Sequence, residues 1–328
     1  MYKLRPIYYA LIIRMICVTF AGLGGAYTVA APTTAQKISD SDYRISAPEC
    51  HLQLDVNPAI GGRIAGLKFN NKEIVTHYAC AADTYDPRSA CNGSGSTFWT
   101  SPQRAWPLAS WPPVASVDGN PYSIKIRRKH LLMSSSSNDA LGASIDKDIS
   151  INDSTCAINL RYVINASRTV TLAPWEITRV PRGGIAFFPL GDAQHFTAGP
   201  QAAHITQIQD IVWFDDTGME NIGAGGAKLI ADGKDGWLAY AADGHLFLKK
   251  FADVAVDKIA PDEGDVEIFA GKDFLELEAQ GGYATLKEYG QLPWTVEWRV
   301  IKIPKSVKVK VGSESLLKFV RDQLSSRH

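Results

Sequence analysis

The sequence has no surplus of charge in either sign. Lys and Arg together number 34, as do Asp and Glu, so the formal net charge at pH 7 is zero. That balance argues against a generally basic nucleic-acid binder, although a local basic patch stays open. Beyond the N-terminus there is no long apolar run, which removes a polytopic membrane protein, and no collagen-like or heptad repeat. The common chemical signatures are also missing. There is no GxxxxGK[ST] phosphate loop, and Gly223-Ala224-Gly225-Gly226 does not make a dinucleotide fingerprint. Neither HExxH nor a CxxC pair occurs, so a zinc or thioredoxin-type site lacks support. No GxSxG elbow points to an esterase triad. The seven histidines are scattered without ligand spacing. No metal and no cofactor are expected.

What is present begins with the N-terminus. Lys3, Arg5 and Arg14 are the only charges before Lys37. The apolar stretch Met15 to Val29 follows, diluted by Gly22, Gly24 and Gly25, with small residues at Ala30, Ala31 and Ala35. A basic start, a short apolar segment and small residues near a cut read as a secretory signal over residues 1–35, cleaved between Ala30 and Gln36. An uncleaved anchor helix is the alternative, disfavoured by the glycines and Pro32. Cys17 follows Met15-Ile16, a poor lipoprotein box. Cleavage removes three of the 34 bases and none of the acids, leaving a net charge of −3. The expectation is a periplasmic or secreted protein with no membrane span after cleavage, a monomer or small homo-oligomer. Four cysteines remain: Cys50, Cys80, Cys91 and Cys156. An even count in an exported chain suggests two disulfides rather than four free thiols. Of three pairings, Cys80–Cys91 closes a short polar loop and leaves Cys50–Cys156.

The body of the chain reads as β. At 328 residues, 45% hydrophobic and 21% charged, a large folded core is affordable in composition. Alternating or short apolar runs recur at Cys50 to Val56, Gly62 to Phe69, Tyr122 to Arg128, Ala143 to Ile151, Cys156 to Asn165, Thr169 to Val180, Ile185 to Phe188 and Ile211 to Phe214. Trp237 to Tyr240 and His245 to Phe251 flank Asp243-Gly244, a hairpin signal. Leu292, Trp294, Val296, Trp298 and Val300 share one strand face. Only Glu314 to Leu324 has a helical stripe, through Leu316, Leu317, Val320 and Leu324. Strand-helix alternation is absent, which disfavours Rossmann and TIM architectures. The expected fold is an all-β, large antiparallel sandwich over residues 36–305, without an internal linker, followed by a helical tail over 306–328.

Two segments carry chemistry. Gly95 to Pro113 reads as a proline-pinned loop holding Trp99, Trp106 and Trp111. These rings suit stacking on sugar faces, with Gln103 and Arg104 bonding hydroxyls; taken alone, the segment favours plugging one end of a sandwich. In Asp273 to Gln280, a strand points Glu276, Glu278 and Gln280 to one face. That face is either a polar sugar cleft or a solvated outer surface.

Taken in order, Gly61-Gly62-Arg63-Ile64-Ala65, Gly95 to Gln103, Ala173 to Val180, Phe274 to Gln280 and Leu292 to Trp298 resemble the galactose mutarotase-like superfamily, and within it an uncharacterised bacterial branch. The resemblance implies an antiparallel sandwich with a carbohydrate site on its concave face. It implies a late Glu-x-Gln motif, matched by Glu278-Ala279-Gln280, whose Glu278 is the candidate base. Trp99, Gln103, Trp175, Arg179 and Gln280 become candidate ligand-binding residues. The family's acid histidine has no counterpart at Pro174-Trp175-Glu176, and its His-Gly-Gly motif is replaced by Gly95-Ser96-Thr97. Ring opening by one carboxylate without a partner acid is slow. Three readings follow: an exported carbohydrate-binding protein, a sugar epimerase or related enzyme drawing its acid from Glu176, Lys250 or a displaced histidine, and an envelope protein with a degenerate site.

Overall fold

The computed structural model describes residues 31–328, apart from 79–85, 87–89, 107, 110, 137–139, 199–201, 220–225 and 326–328. The leader therefore lies almost wholly outside the described residues, as does the Cys80–Cys91 pairing through Cys80.

Two antiparallel sheets make up the chain. The first runs Thr34–Lys37, Tyr43–Ala47, Leu52–Asn57, Arg63–Phe69, Ser96–Ser101, Val170–Pro181, Phe274–Gln280, Val266–Ala270, Ala227–Ala231 and Phe196–Ala198. The second runs Ile205–Ile208, Ile211–Asp215, Ile185–Pro189, Trp237–Ala242, His245–Lys250, Gln291–Lys302, Ile158–Ala166, Ala143–Ile151, His130–Ser134 and Ser123–Arg127. This is the large antiparallel sandwich that the strand pattern predicts and that the family resemblance implies. Sequential strands are frequently not neighbours: Ser96–Ser101 lies beside Val170–Pro181, which lies beside Phe274–Gln280. The centre of the first sheet is thus assembled from segments distant in sequence.

The core forms where the inner faces meet. Phe98 of the first sheet stacks on Tyr162 of the second at 4.3 Å between ring centres. Trp294, Val296, Trp298 and Val300 are buried, as their alternation requires. The second sheet is covered on its outer face too. Ala186, Phe188, Val212 and Phe214 point into the main core. Ile185, Phe187, Ile211 and Trp213 point the other way, into a second cluster completed by Leu316 and Val320. Those two belong to the helix Glu314–Ser325, whose first turn is capped by the Ser313 hydroxyl accepting the Leu316 N–H. Each buried side chain of this kind contributes about 1.5–3 kcal/mol, so the tail is part of the packed body. Cys50 and Cys156 are disulfide-bonded, with Cα atoms 5.3 Å apart.

One expectation about the fold is corrected. The segment Gly95 to Pro113 is not all loop: Ser96–Ser101 is a fully buried central strand. Its Ser, Thr, Phe and Trp residues suit a two-sided buried strand, and the loop starts at Pro102. The strand is entered through Gly95, which sits at φ +54; a Cβ there would lie 1.8 Å from the Ile64 carbonyl oxygen, so only glycine fits.

Candidate functional site

Strand register determines which side chains share the outer face of the first sheet. Trp175 stands opposite Trp99 on one side and Gln280 on the other. Ile177 is opposite Thr97 and Glu278, and Arg179 is opposite Glu276. Glu278 is opposite Glu267, Glu276 opposite Phe269, and Phe269 opposite Lys228. Directly paired residues project to the same side, so all of these share one face. Phe98, Glu176 and Ala279 project to the other, toward the second sheet.

On this outer face lies a cleft of about 820 Å³, within the range of about 300–1,000 Å³ usual for small-molecule sites. Trp99, Trp111, Trp175, Phe269 and Phe274 line it together with Gln103, Lys228, Glu263, Glu276 and Glu278. Trp99 and Trp175 are almost wholly buried. They meet edge to face at 5.6 Å, with Trp106 behind them at 5.4 and 5.8 Å. The half-buried rings of Trp111, Phe269 and Phe274 are the more open ones.

The polar floor is tightly bonded. Glu278 accepts a hydrogen bond from Lys228 Nζ on Oε1 at 2.6 Å and from the Trp175 indole N–H on Oε2 at 2.9 Å. Lys228 also pairs with Glu267 at 2.6 Å. Burial alone pulls the Lys228 ammonium down, but Glu267 and Glu278 together hold it above its ordinary value. Burial pushes the Glu267 carboxyl well up, against the attraction of Lys228. Gln280 donates to Glu267 at 2.8 Å. Arg179 is fully buried and donates through Nε to Glu276 Oε1 at 2.9 Å. Its guanidinium sits 5.4 Å from the Trp99 ring centre. Burial raises the Glu276 carboxyl, with Arg179 opposing. Glu263 is raised by burial as well, although it accepts the Gln103 backbone N–H at 2.6 Å.

Of the residues expected from the sequence, Trp99, Gln103, Trp175 and Glu278 line the cleft directly. Arg179 and Gln280 stand one layer behind, bonded to Glu276 and Glu267. Arg104 lines the rim and pairs with Asp262 at 2.7 Å. The acids suggested for an enzyme are not there. Glu176 faces the interior and pairs with Lys249; Lys250 is on the second sheet; none of the described histidines lines the cleft. Period two places Trp175 and Glu176 on opposite faces, so one of them had to be lost to the site.

Residues 43–301 match the family described as a domain of unknown function, DUF4380. The chain belongs to that family. No curated protein matches the sequence. Solved structures do share the fold of this DUF4380 chain. The Slr1438 protein of Synechocystis sp. PCC 6803 superposes with a TM-score of 0.56 at 12% identity, covering 81% of this chain and 99% of that one. Galactose 1-epimerase from Lactobacillus acidophilus NCFM gives 0.52 at 10% identity, covering 83% and 99%. A galactose mutarotase-like protein from Lactobacillus casei ATCC 334 gives 0.52 at 10%, covering 82% and 100%. At such identities the likeness is one of fold.

Lys228, Glu263, Glu267 and Phe269 were not singled out by sequence reasoning. A signal existed for two of them: Ala227-Lys228-Leu229-Ile230-Ala231 and Val266-Glu267-Ile268-Phe269-Ala270 are short apolar runs, each interrupted by one charge. Such a charge is either solvated or, as here, partnered across the sheet.

Proposed function

We propose that this is an exported saccharide-binding protein whose ligand lies in the outer-face cleft. The observation that carries the reading is the pairing of half-open aromatic rings, Trp111, Phe269 and Phe274, with carboxylates and an amide in one cleft. A sugar has apolar C–H faces and a hydroxylated rim, and needs both kinds of partner. The sugar-related fold of the neighbours supports the same conclusion. Trp99 and Trp175 act from behind, Trp175 by fixing Glu278 through its indole N–H. Glu278 serves as a held acceptor, with Lys228 on one oxygen and the Trp175 indole on the other. Export is supported by the leader sequence and by the Cys50–Cys156 disulfide. No helix among the described residues is long and apolar enough to cross a membrane.

A glycan array on the mature protein, followed by calorimetry on the strongest hit, tests the reading. Trp111→Ala is expected to weaken binding by about 1–3 kcal/mol, by analogy with aromatic stacking on bases, while the unfolding transition stays cooperative. A silent array, or a hit whose affinity is indifferent to Trp111→Ala, overturns it.

A further inference from the structure

The two glutamates of Glu276-Leu277-Glu278 are in different situations. Glu278 has a donor on each oxygen, Lys228 and the Trp175 indole. Glu276 receives Arg179 on Oε1, and its Oε2 has no hydrogen-bond partner among the described residues. Yet Glu276 is only 8% exposed, and what exposure it has is to the cleft it lines. A carboxylate oxygen that opens onto a cavity and has no protein donor is free to accept a hydrogen bond from a ligand.

The charges around it run one way. Asp262, Glu263, Asp273, Glu276 and Glu278 line the cleft, against Arg104 and Lys228. These cations are already engaged, Arg104 by Asp262 and Lys228 by Glu278 and Glu267, while Arg179 behind the cleft offsets one charge from Oε1 of Glu276, so the lining stays acidic. Asp273 makes no ion pair among the described residues. Next to Glu276 are aromatic rings: Phe269 is its register partner, and Phe274 lies 6.5 Å from Phe269. Negative potential beside aromatic faces attracts a cation carried on a ring.

We propose that the cleft selects a saccharide bearing a free ammonium group, a 2-amino sugar, with Glu276 as its counter-ion and Asp273 and Glu263 supplying the surrounding field. This rests on the saccharide reading above and narrows it. A neutral sugar leaves the negative excess uncompensated, and a phosphorylated or uronic sugar adds to it. Burial raises the Glu276 and Glu263 carboxyls, and a cation brought beside them favours their ionised forms.

The test compares a chitosan tetrasaccharide with its fully N-acetylated counterpart by calorimetry on the mature protein at mildly acid pH and low salt. The free-amine form is expected to bind about tenfold more tightly, the scale of one charge-assisted hydrogen bond in a partly screened site. The preference shrinks at high salt. Glu276→Gln removes most of the preference, leaving only the roughly twofold share of the surrounding carboxylates. Because that change also loosens Arg179, Asp273→Asn is the second variant: Asp273 is exposed and has no ion-pair partner among the described residues, and its loss reduces the preference about twofold. Equal binding of the two oligomers, or tighter binding of the acetylated one, overturns this proposal and leaves the saccharide reading intact. Failure of both oligomers and of every neutral glycan on the array overturns both.

Discussion

Each face of the first sheet presents a glutamate paired with a lysine, Lys249 of the second sheet on the inner face and Lys228 of the same sheet on the outer, and the two pairs have opposite relations to water. On the inner face, Glu176 and Lys249 pair with neither side chain exposed at all. The Ser96 and Thr178 hydroxyls donate to Glu176, and Lys249 donates to the Leu277 carbonyl at 2.6 Å. Burial draws the Lys249 ammonium below its ordinary value, with Glu176 opposing. On the outer face, Glu278 is as buried as Glu176, but its partner Lys228 keeps about a third of its side chain exposed, 32%. One pair is sealed between sheets and unreachable by any ligand; the other is the floor of a cleft. The same chemistry is structural in one place and available in the other, and solvent access to a single lysine marks the difference.

The comparison breaks most readily at the sealed pair. Lys249→Met strands the Glu176 carboxylate in the interior and is expected to cost about 3–5 kcal/mol of stability, read from urea unfolding. Adding Glu176→Leu to it restores most of the loss, because a buried pair replaced by apolar residues of similar volume is often neutral. Saccharide affinity of the folded fraction stays unchanged in both. A loss under about 1 kcal/mol for the single variant is the value of an exposed pair and contradicts the description of this one.

Lys228→Met sharpens the contrast. It leaves Glu267 and Glu278 facing each other, but the cleft admits water, so the expected cost in stability is smaller, about 1–2 kcal/mol. The expected loss of saccharide affinity is larger than for Lys249→Met. If the two lysine variants have the same pair of effects, the division into structural and available faces is wrong.

How much of this was readable without coordinates depends on the range of the interaction. Local alternation placed Glu276, Glu278 and Gln280 on one face, assigned Trp294 to Val300 to the core, and located the terminal helix. Parity alone also separates Trp175 from Glu176, an argument available in the sequence and decisive for the acid candidates. The partners were out of reach. Lys228 meets Glu278 only because Ala227–Ala231 pairs with Val266–Ala270, and that strand with Phe274–Gln280. A one-residue slip in either pairing turns Lys228 to the other side, and no local period encodes it. The Ser96–Ser101 strand was hidden for a different reason: the prolines that follow it made the whole stretch read as loop.

A third buried lysine offers the finest test. Lys147 of the second sheet has no carboxylate within hydrogen-bond distance among the described residues. It donates to the Gly61 and Gly62 carbonyls at 2.7 and 3.2 Å and lies 4.7 Å from the Tyr122 ring centre. Burial pulls it down to about 7, against the attraction of Asp118. The unfolded chain holds this proton up to the ordinary value of 10.5, whereas the folded chain releases it above about 7. Between those limits the unfolded state binds more protons, so stability rises with pH; below about 7 the full cost of the buried charge is present. The slope from one such group is at most about 1.4 kcal/mol per pH unit. Lys249 contributes in the same sense, so the measurement is a difference: urea unfolding of the protein and of Lys147→Met across the neutral to mildly alkaline range. The variant also loses the donors to Gly61 and Gly62, which lowers its stability at every pH and leaves the slope as the diagnostic. A flatter slope in Lys147→Met identifies an interior lysine without a bonded counter-ion. Equal slopes mean that Asp118 holds Lys147 charged throughout, against its burial.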